Sequence, residues 1–430
     1  MTRLARLGVK RFGKTVVNGL FGGLLAMRRA LPAGLDEALF HLPRDESSIH
    51  ELVNHGGSGP GLSDPAPPNE GVRGISCVSR GWEQGCTLEA AFDVKGRRCP
   101  TLETTTTPGT CELLVARIPR GRVLGRRCAV IAPRGEVVRE LSPFLGAELN
   151  PQHPDLRRHA WLPRPRRIKG IVVVAGNSGA GNYYHWICEG LRRLLEVIRY
   201  AESEGIALEK AHVAVSAARL PAVSACLEAL GFPESRVIRM GRFDQIEADE
   251  VIAASVPSAV LGMTTYAART LREFRVERHG RPLPRRFVVL RRGYRSFLDD
   301  AAVLDALAPF GFEPVRLESL AFADQQALFR DAEAIVAPHG AGLVNLVWTR
   351  GECDVLEIMP ERYLNACFRA ICAARRTDAP LRHAFLVAPE PALKADRDAE
   401  RLHVDPAALR QWAGNLRGAR HQPGSDLHPT

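Results

Sequence analysis

The sequence lacks most of the marks that assign a chemistry at once. Its ten cysteines include no C-x-x-C pair, which argues against a zinc ribbon and a thioredoxin-type redox site. There is no Walker lysine, no H-E-x-x-H and no G-x-S-x-G elbow. Gly176-x-x-Gly179-x-Gly181 runs in the wrong order for the dinucleotide fingerprint, and no acidic residue ends the next strand at Val215. Asp396-Arg397-Asp398 spells a metal-holding D-x-D, but it stands in a polar tail and reads as solvated charge. Aromatics make up only 6% and interleave with no basic run, so nucleic acid is not an expected partner. Lysine is scarce, and the net charge of +10 is almost wholly arginine. That charge serves solubility, or it draws anionic partners such as phosphorylated donors, acidic polymers or a membrane face.

Long hydrophobic runs are missing too. Val16 to Met27 is too short to span a bilayer, and Arg28-Arg29 follow it where a signal peptide needs small residues. The expected location is therefore cytoplasmic, with reduced thiols. Residues 3–29, basic and apolar, suit peripheral contact with the anionic inner membrane face. An amphipathic helix packed on its own domain fits them equally well.

What is present is an α/β pattern. At 430 residues two domains are expected. Residues 1–70 read as a partly mobile N-terminal extension rich in Gly, Ser and Pro. Residues 71–280 combine a β-rich stretch, with hairpin signals at Pro119-Arg120-Gly121 and Pro133-Arg134-Gly135, with βαβ units from Ile171 onward. Residues 281–390 repeat the βαβ spacing, and 391–430 read as a charged helical tail. Two doubly wound halves in tandem imply ligands at the carboxyl ends of parallel strands, in a cleft between domains.

Four clusters carry candidate chemistry. His339-Gly340-Ala341-Gly342 follows a buried strand and opens a helix, a turn suited to anions or simply to tight packing. Arg291-Arg292-Gly293-Tyr294-Arg295 ends the first strand of the same half, where guanidinium groups grip phosphate oxygens or form a solvated turn. His185 and Glu189 lie four apart at the start of a long helix, hence on one face; they suit a general base with its orienting carboxylate, or a capping or core histidine. Glu357 ends the next strand, placed to accept sugar hydroxyls or to pair with an arginine.

Three blocks resemble glycosyltransferase family 61, known in bacteria as capsular polysaccharide biosynthesis proteins. Asn182-Tyr183-Tyr184-His185-Trp186 with Glu189 looks like that family's aromatic-His helix start. Val289-Leu290-Arg291-Arg292 with Arg295 looks like its strand-Arg segment. The most specific block runs from Ser319-Leu320 through Asp324-Gln325-Gln326 and His339-Gly340-Ala341-Gly342-Leu343-Val344-Asn345 to Val355-Leu356-Glu357. The sequence departs from the family at Asp299-Asp300, where Asn-Glu is usual, and in a shorter preceding loop, which bears on Arg292 and Arg295.

The resemblance implies a GT-B fold of two Rossmann-like domains facing a cleft, with a small β-rich N-terminal region. It implies inverting, metal-independent transfer of a hexose or pentose from a nucleotide-sugar to a hydroxyl of a glycan or lipid-linked acceptor, with no cofactor, in bacterial surface polysaccharide synthesis. Under it Arg291, Arg292, Arg295, His339, Gly340, Ala341, Gly342, Asn345 and Glu357 bind the donor. His185, with Glu189, is the candidate base facing the acceptor. A non-catalytic nucleotide-sugar-binding or scaffold protein of the same fold is the rival, and a nicotinamide-dependent sugar oxidoreductase a more distant one.

Overall fold

Contacts divide the chain into unit 1 (Met1–Gly81, Glu112–Leu220 and Leu230–Ala259) and unit 2 (Trp82–Cys111, Pro221–Ala229 and Val260–Thr430). The computed structural model describes residues 46–47, 75–103, 110–143, 164–179, 181–257, 262–280, 282–375, 381–389 and 401–416. The basic segment 3–29 and the D-x-D at 396–398 lie outside the described residues. The boundary expected near 281 falls inside unit 2, which begins at Val260 and also takes in Trp82–Cys111.

The hairpins and the first βαβ series share one sheet of ten strands rather than forming separate regions. Ten strands contribute: β1 (Glu46–Ser47), β2 (Ser76–Gln84), β3 (Thr110–Pro119), β4 (Arg122–Leu124), β5 (Ala129–Ile131), β6 (Val137–Val138), β7 (Arg166–Val174), β8 (His212–Ser216), β9 (Val237–Met240) and β10 (Gln245–Ala254). β10 joins the two parts. On one side it runs parallel to β7, which continues through β8 to β9. On the other, Gln245–Glu247 pair antiparallel with β4 and Glu250–Ala254 with β3. β10 is ten residues long because its polar first half has a hairpin to pair with. Leu114, Ile118, Val123, Val172, Val174, Ile238, Met240 and Val251 form the core on one face.

Unit 2 holds five parallel strands: β11 (Arg286–Val289), β12 (Glu313–Val315), β13 (Ala334–Pro338), β14 (Cys353–Pro360) and β15 (Leu381–Ala388), in the order β12-β11-β13-β14-β15. β13 is buried at every position, as a parallel strand covered on both faces requires. The tail is not a charged surface appendage. Its helix Pro406–Gly414 packs with Leu402, Val404, Leu409 and Leu416 into the same core as Val288, Val336, Leu356 and Leu386. On the other side Ala91 and Leu102 pack on Met359, Phe385 and Val387, which is why Trp82–Cys111 belongs to this unit.

Both sheets reverse direction beside their first strand, between β7 and β10 in unit 1 and between β11 and β13 in unit 2. In open parallel sheets the ligand crevice opens outside the carboxyl ends of the strands at such a point. The turn after β7, Arg291 after β11 and His339 after β13 all stand there.

Among the described residues no helix is long and apolar enough to cross a membrane. Cys77, Cys99 and Cys353 are thiols, and burial pushes Cys77 up to about 11.

Candidate functional site

In unit 1 the turn after β7 folds back on the helix that follows it. Asn182 caps that helix, its side chain accepting from the Tyr184 N–H at 2.8 Å. The helix starts at Tyr183–His185, widens into a π-helical stretch over Trp186–Leu191 and continues as α-helix over Arg192–Ser203. Such π stretches are rare and concentrate at functional sites; here His185 and Glu189 flank its beginning.

The expected pair forms. His185 Nδ1 lies 2.5 Å from Glu189 Oε1. The turn supplies two further partners that the sequence did not announce. The Ser178 N–H donates to Glu189 Oε2 at 2.7 Å and its hydroxyl to Glu189 Oε1 at 2.9 Å. Gly179 lies against the imidazole, since a Cβ there would stand 2.2 Å from His185 Cδ2. The histidine is therefore clamped between carboxylate and turn.

The turn is itself held from two sides. Arg127 Nε donates to the Ser178 carbonyl at 3.1 Å. Arg193, 1% exposed, donates to the carbonyls of Gly176 and Leu141. Burial brings the Arg193 guanidinium down to about 10, yet it stays charged at neutral pH. Carbonyl acceptors take its two terminal nitrogens, while Nε is buried without an acceptor.

An ionised carboxylate only accepts, so beside one a neutral His185 ring places its proton on Nδ1 and its lone pair on Nε2. The His185 side chain is 16% exposed against 3% for Glu189. A positioned imidazole whose outer nitrogen can accept, with a buried carboxylate behind it, is the arrangement of a general base.

In unit 2 the residues after β11 and β13 meet. Arg291 Nη1 donates to the His339 carbonyl at 3.0 Å, and a Cβ on Gly340 would stand 2.2 Å from that same Nη1. Gly342 likewise admits Leu317, whose Cδ1 would be 2.5 Å from an added Cβ. These glycines thus admit neighbouring side chains into the turn, as the tight-packing reading of the glycine turn expects. Gly340, Ala341 and Gly342 remain half-buried at the start of the 3₁₀ helix Ala341–Trp348.

Arg295, at φ +58, takes a left-handed backbone uncommon for a residue with a side chain. Its guanidinium carbon lies 4.5 Å from the Tyr294 ring centre and 4.1 Å from that of Tyr363. Two such stacks fix the cation. Burial, followed by the like charge of Arg295, lowers Arg291 below the ordinary guanidinium value. Two guanidinium groups that repel one another favour an anion beside them. Arg292 is exposed.

Two expected donor-binding side chains are not available at the surface. Glu357 is 0% exposed, and its partners are histidines rather than an arginine. Its Oε1 pairs with His339 Nδ1 and its Oε2 with His383 Nε2 at 2.8 Å. Burial acts to raise its carboxyl, but the two imidazole hydrogen bonds outweigh it and hold Glu357 below the ordinary value. Asn345, also 0% exposed, donates to Gln325 Oε1 at 3.2 Å beneath the turn.

His383 was not anticipated. It belongs to β15, paired in register with Val355 of β14, and only that register brings it to Glu357. Its Nδ1 is buried without a partner. Tyr363 was missed as well; its ring lies 5.4 Å from that of His339 as well as over Arg295. Among the described residues no cluster of His, Cys, Asp and Glu is arranged to hold a metal ion.

Comparison with known proteins gives one family. Residues 183–356 match the family model described as Glycosyltransferase 61. The match begins at the helix start bearing His185 and stops one residue before Glu357, so His383 lies beyond it. No curated protein matches the chain.

Proposed function

We propose that the chain, whose residues 183–356 match the Glycosyltransferase 61 family model, moves a hexose or pentose from a nucleotide-sugar to a hydroxyl of a glycan or lipid-linked acceptor. The reading is carried by two observations, each within its own unit: a clamped, partly exposed imidazole in unit 1 and an arginine held over a glycine turn in unit 2. In the proposed reaction His185 Nε2 takes the proton of the acceptor hydroxyl. The acceptor oxygen forms a bond to the anomeric carbon from the face opposite the leaving group, so configuration inverts. The bond from that carbon to the diphosphate breaks, and its electron pair leaves with the diphosphate.

Charge then develops on the departing diphosphate. Arg291, Arg295 and the main-chain N–H groups of Gly340 to Gly342 are the fixed donors that stabilise it without a metal ion. Glu357 contributes by orienting His339, not by touching the donor. A GT-B arrangement, with unit 1 on the acceptor side and unit 2 on the donor side, belongs to this proposal. So do a role in surface polysaccharide or glycolipid synthesis and a cytoplasmic location, peripheral to the membrane through residues 3–29.

A thermal-shift series with UDP, GDP, dTDP and CDP tests the donor half, because a ligand bound only by the folded state raises its melting temperature. At least one diphosphate should do so, and Arg291→Ala should remove the shift. If no diphosphate stabilises the protein, or Arg291→Ala responds like wild type, the donor assignment fails. Diphosphate binding without sugar transfer to any acceptor, wild type and His185→Ala alike, would instead indicate a non-catalytic binder.

A further inference from the structure

Unit 2 has a second recess that shares no residue with the Arg291–His339 site. It forms where the end of β2 meets the start of the helix Thr265–Glu273 and encloses about 390 Å³, within the roughly 300–1,000 Å³ of small-ligand sites. Trp82 and Tyr266 line it, 66% and 37% exposed. Both count among the exposed large hydrophobic side chains of the described residues, and the two share one cavity.

The floor is rigid. Glu83 is 3% exposed and accepts from the Thr264 hydroxyl at 2.5 Å. The same hydroxyl oxygen accepts from the Ala267 N–H and caps the helix. Around the rings stand Gln84, Thr265 and Arg269, which together offer both donors and acceptors.

Flat aromatic faces beside short polar groups suit few ligands. A nucleic acid needs a basic groove, and only one arginine is present. A lipid chain needs a continuous apolar wall, which Gln84, Thr265 and Arg269 interrupt. A pyranose fits both features: one face presents C–H groups to the negative face of a ring, and its rim presents hydroxyls that donate and accept.

We propose that this recess binds a stretch of a saccharide chain, with one sugar face on Trp82 and a neighbouring unit against Tyr266. Gln84, Thr265 and Arg269 then take the hydroxyls. The proposal rests on the assignment of the protein as a transferase acting on glycans. It makes Trp82 a determinant of affinity for long acceptors and leaves the chemical step alone.

Calorimetric titration of the full chain with cellohexaose, maltohexaose and chitohexaose tests it, alongside Trp82→Ala, Tyr266→Ala and the nucleotide-diphosphate melting shift. Saturable binding of at least one hexasaccharide is expected, weakened about tenfold by Trp82→Ala, with the nucleotide shift intact. Because Trp82 is exposed, the variant should melt where wild type does. If none of the three binds, or Trp82→Ala binds as tightly as wild type, the recess is no saccharide site. Trp82-dependent hexasaccharide binding with no response to any nucleotide diphosphate would sustain the recess and sink the donor assignment. The reverse outcome would sink the recess alone.

Discussion

The two histidine–carboxylate pairs have the same chemical parts and different surroundings. His185 and Glu189 sit four residues apart on one helix, and the imidazole remains 16% exposed. His339 follows the end of β13 and Glu357 lies within the neighbouring β14, a second histidine takes the other carboxylate oxygen, and side-chain exposure falls to 5% and 0%. In unit 1 the carboxylate faces inward and the imidazole outward, so the pair can exchange a proton with something outside the protein. In unit 2 both carboxylate oxygens are saturated by protein donors, so the cluster fixes the shape of the turn that Arg291 grips. Exposure, more than residue type, separates a proton-transfer pair from a scaffold.

That contrast breaks most sharply on removal of each imidazole. His185→Ala should lower sugar transfer about 10²- to 10⁴-fold, the usual worth of a positioned base, and leave nucleotide-diphosphate affinity unchanged. His339→Ala should do the opposite, weakening the diphosphate. Measured transfer rates and dissociation constants for both variants decide it. If His185→Ala costs donor affinity and His339→Ala costs only turnover, the roles are exchanged.

Next in size is the clamp on His185. Gly179→Ala places a methyl where the ring stands, 2.2 Å from Cδ2, so the ring must move. A displacement of about 1 Å at a catalytic group costs roughly 10²-fold. Turnover should fall by that order while donor affinity holds. Unchanged turnover would mean that the observed ring position is not the working one.

Arg291→Lys probes the other half. Lysine keeps the charge but loses the planar fork that spans the His339 carbonyl and an anion together. Donor affinity should fall about tenfold, the lower range for a lost hydrogen bond to a charged group. Equal affinity in a titration with the best-binding diphosphate would reduce Arg291 to a structural support of the turn.

These expectations also show what the sequence made legible. The His185–Glu189 pair follows from helix periodicity alone, and the doubly wound halves follow from strands such as Ala334 to Ala337 that are apolar on both faces. Ser178 was hidden because its contact with Glu189 depends on how one turn folds back over a helix. His383 was hidden because no strand was read over Leu381–Ala388, and the polar start of β15 is explained only by register. Arg382 pairs with Asp354, at 2.5 Å from Nη2 to Oδ2, on the adjacent strand. The joining of the hairpins to the parallel sheet rests on β10 serving two partners at once, a tertiary fact with no local signature. Glu357 was placed on the right strand but stands inside it rather than at its end, and its neighbours, hence its task, came from elsewhere in the sequence.

The smallest effect on activity, and the one that isolates the scaffold role, is expected from Glu357→Gln. A carboxamide offers one acceptor oxygen, so one of the two imidazole N–H groups would face the amide N–H₂ instead. A buried donor left without its acceptor costs about 1–3 kcal/mol, so the melting temperature should drop by several degrees at neutral pH. The pH dependence follows from the direction of the shift. Glu357 is held below its ordinary value of 4.5, so its ionised form is favoured by folding and contributes stability above that value. The contribution is lost as pH falls through the lower, folded-state value. The gap in melting temperature between wild type and variant should therefore be full at pH 7 and shrink below about pH 4.5. A gap that stays constant into acid would show that Glu357 holds its histidines as a neutral group. The buried cluster would then work by packing and not by charge.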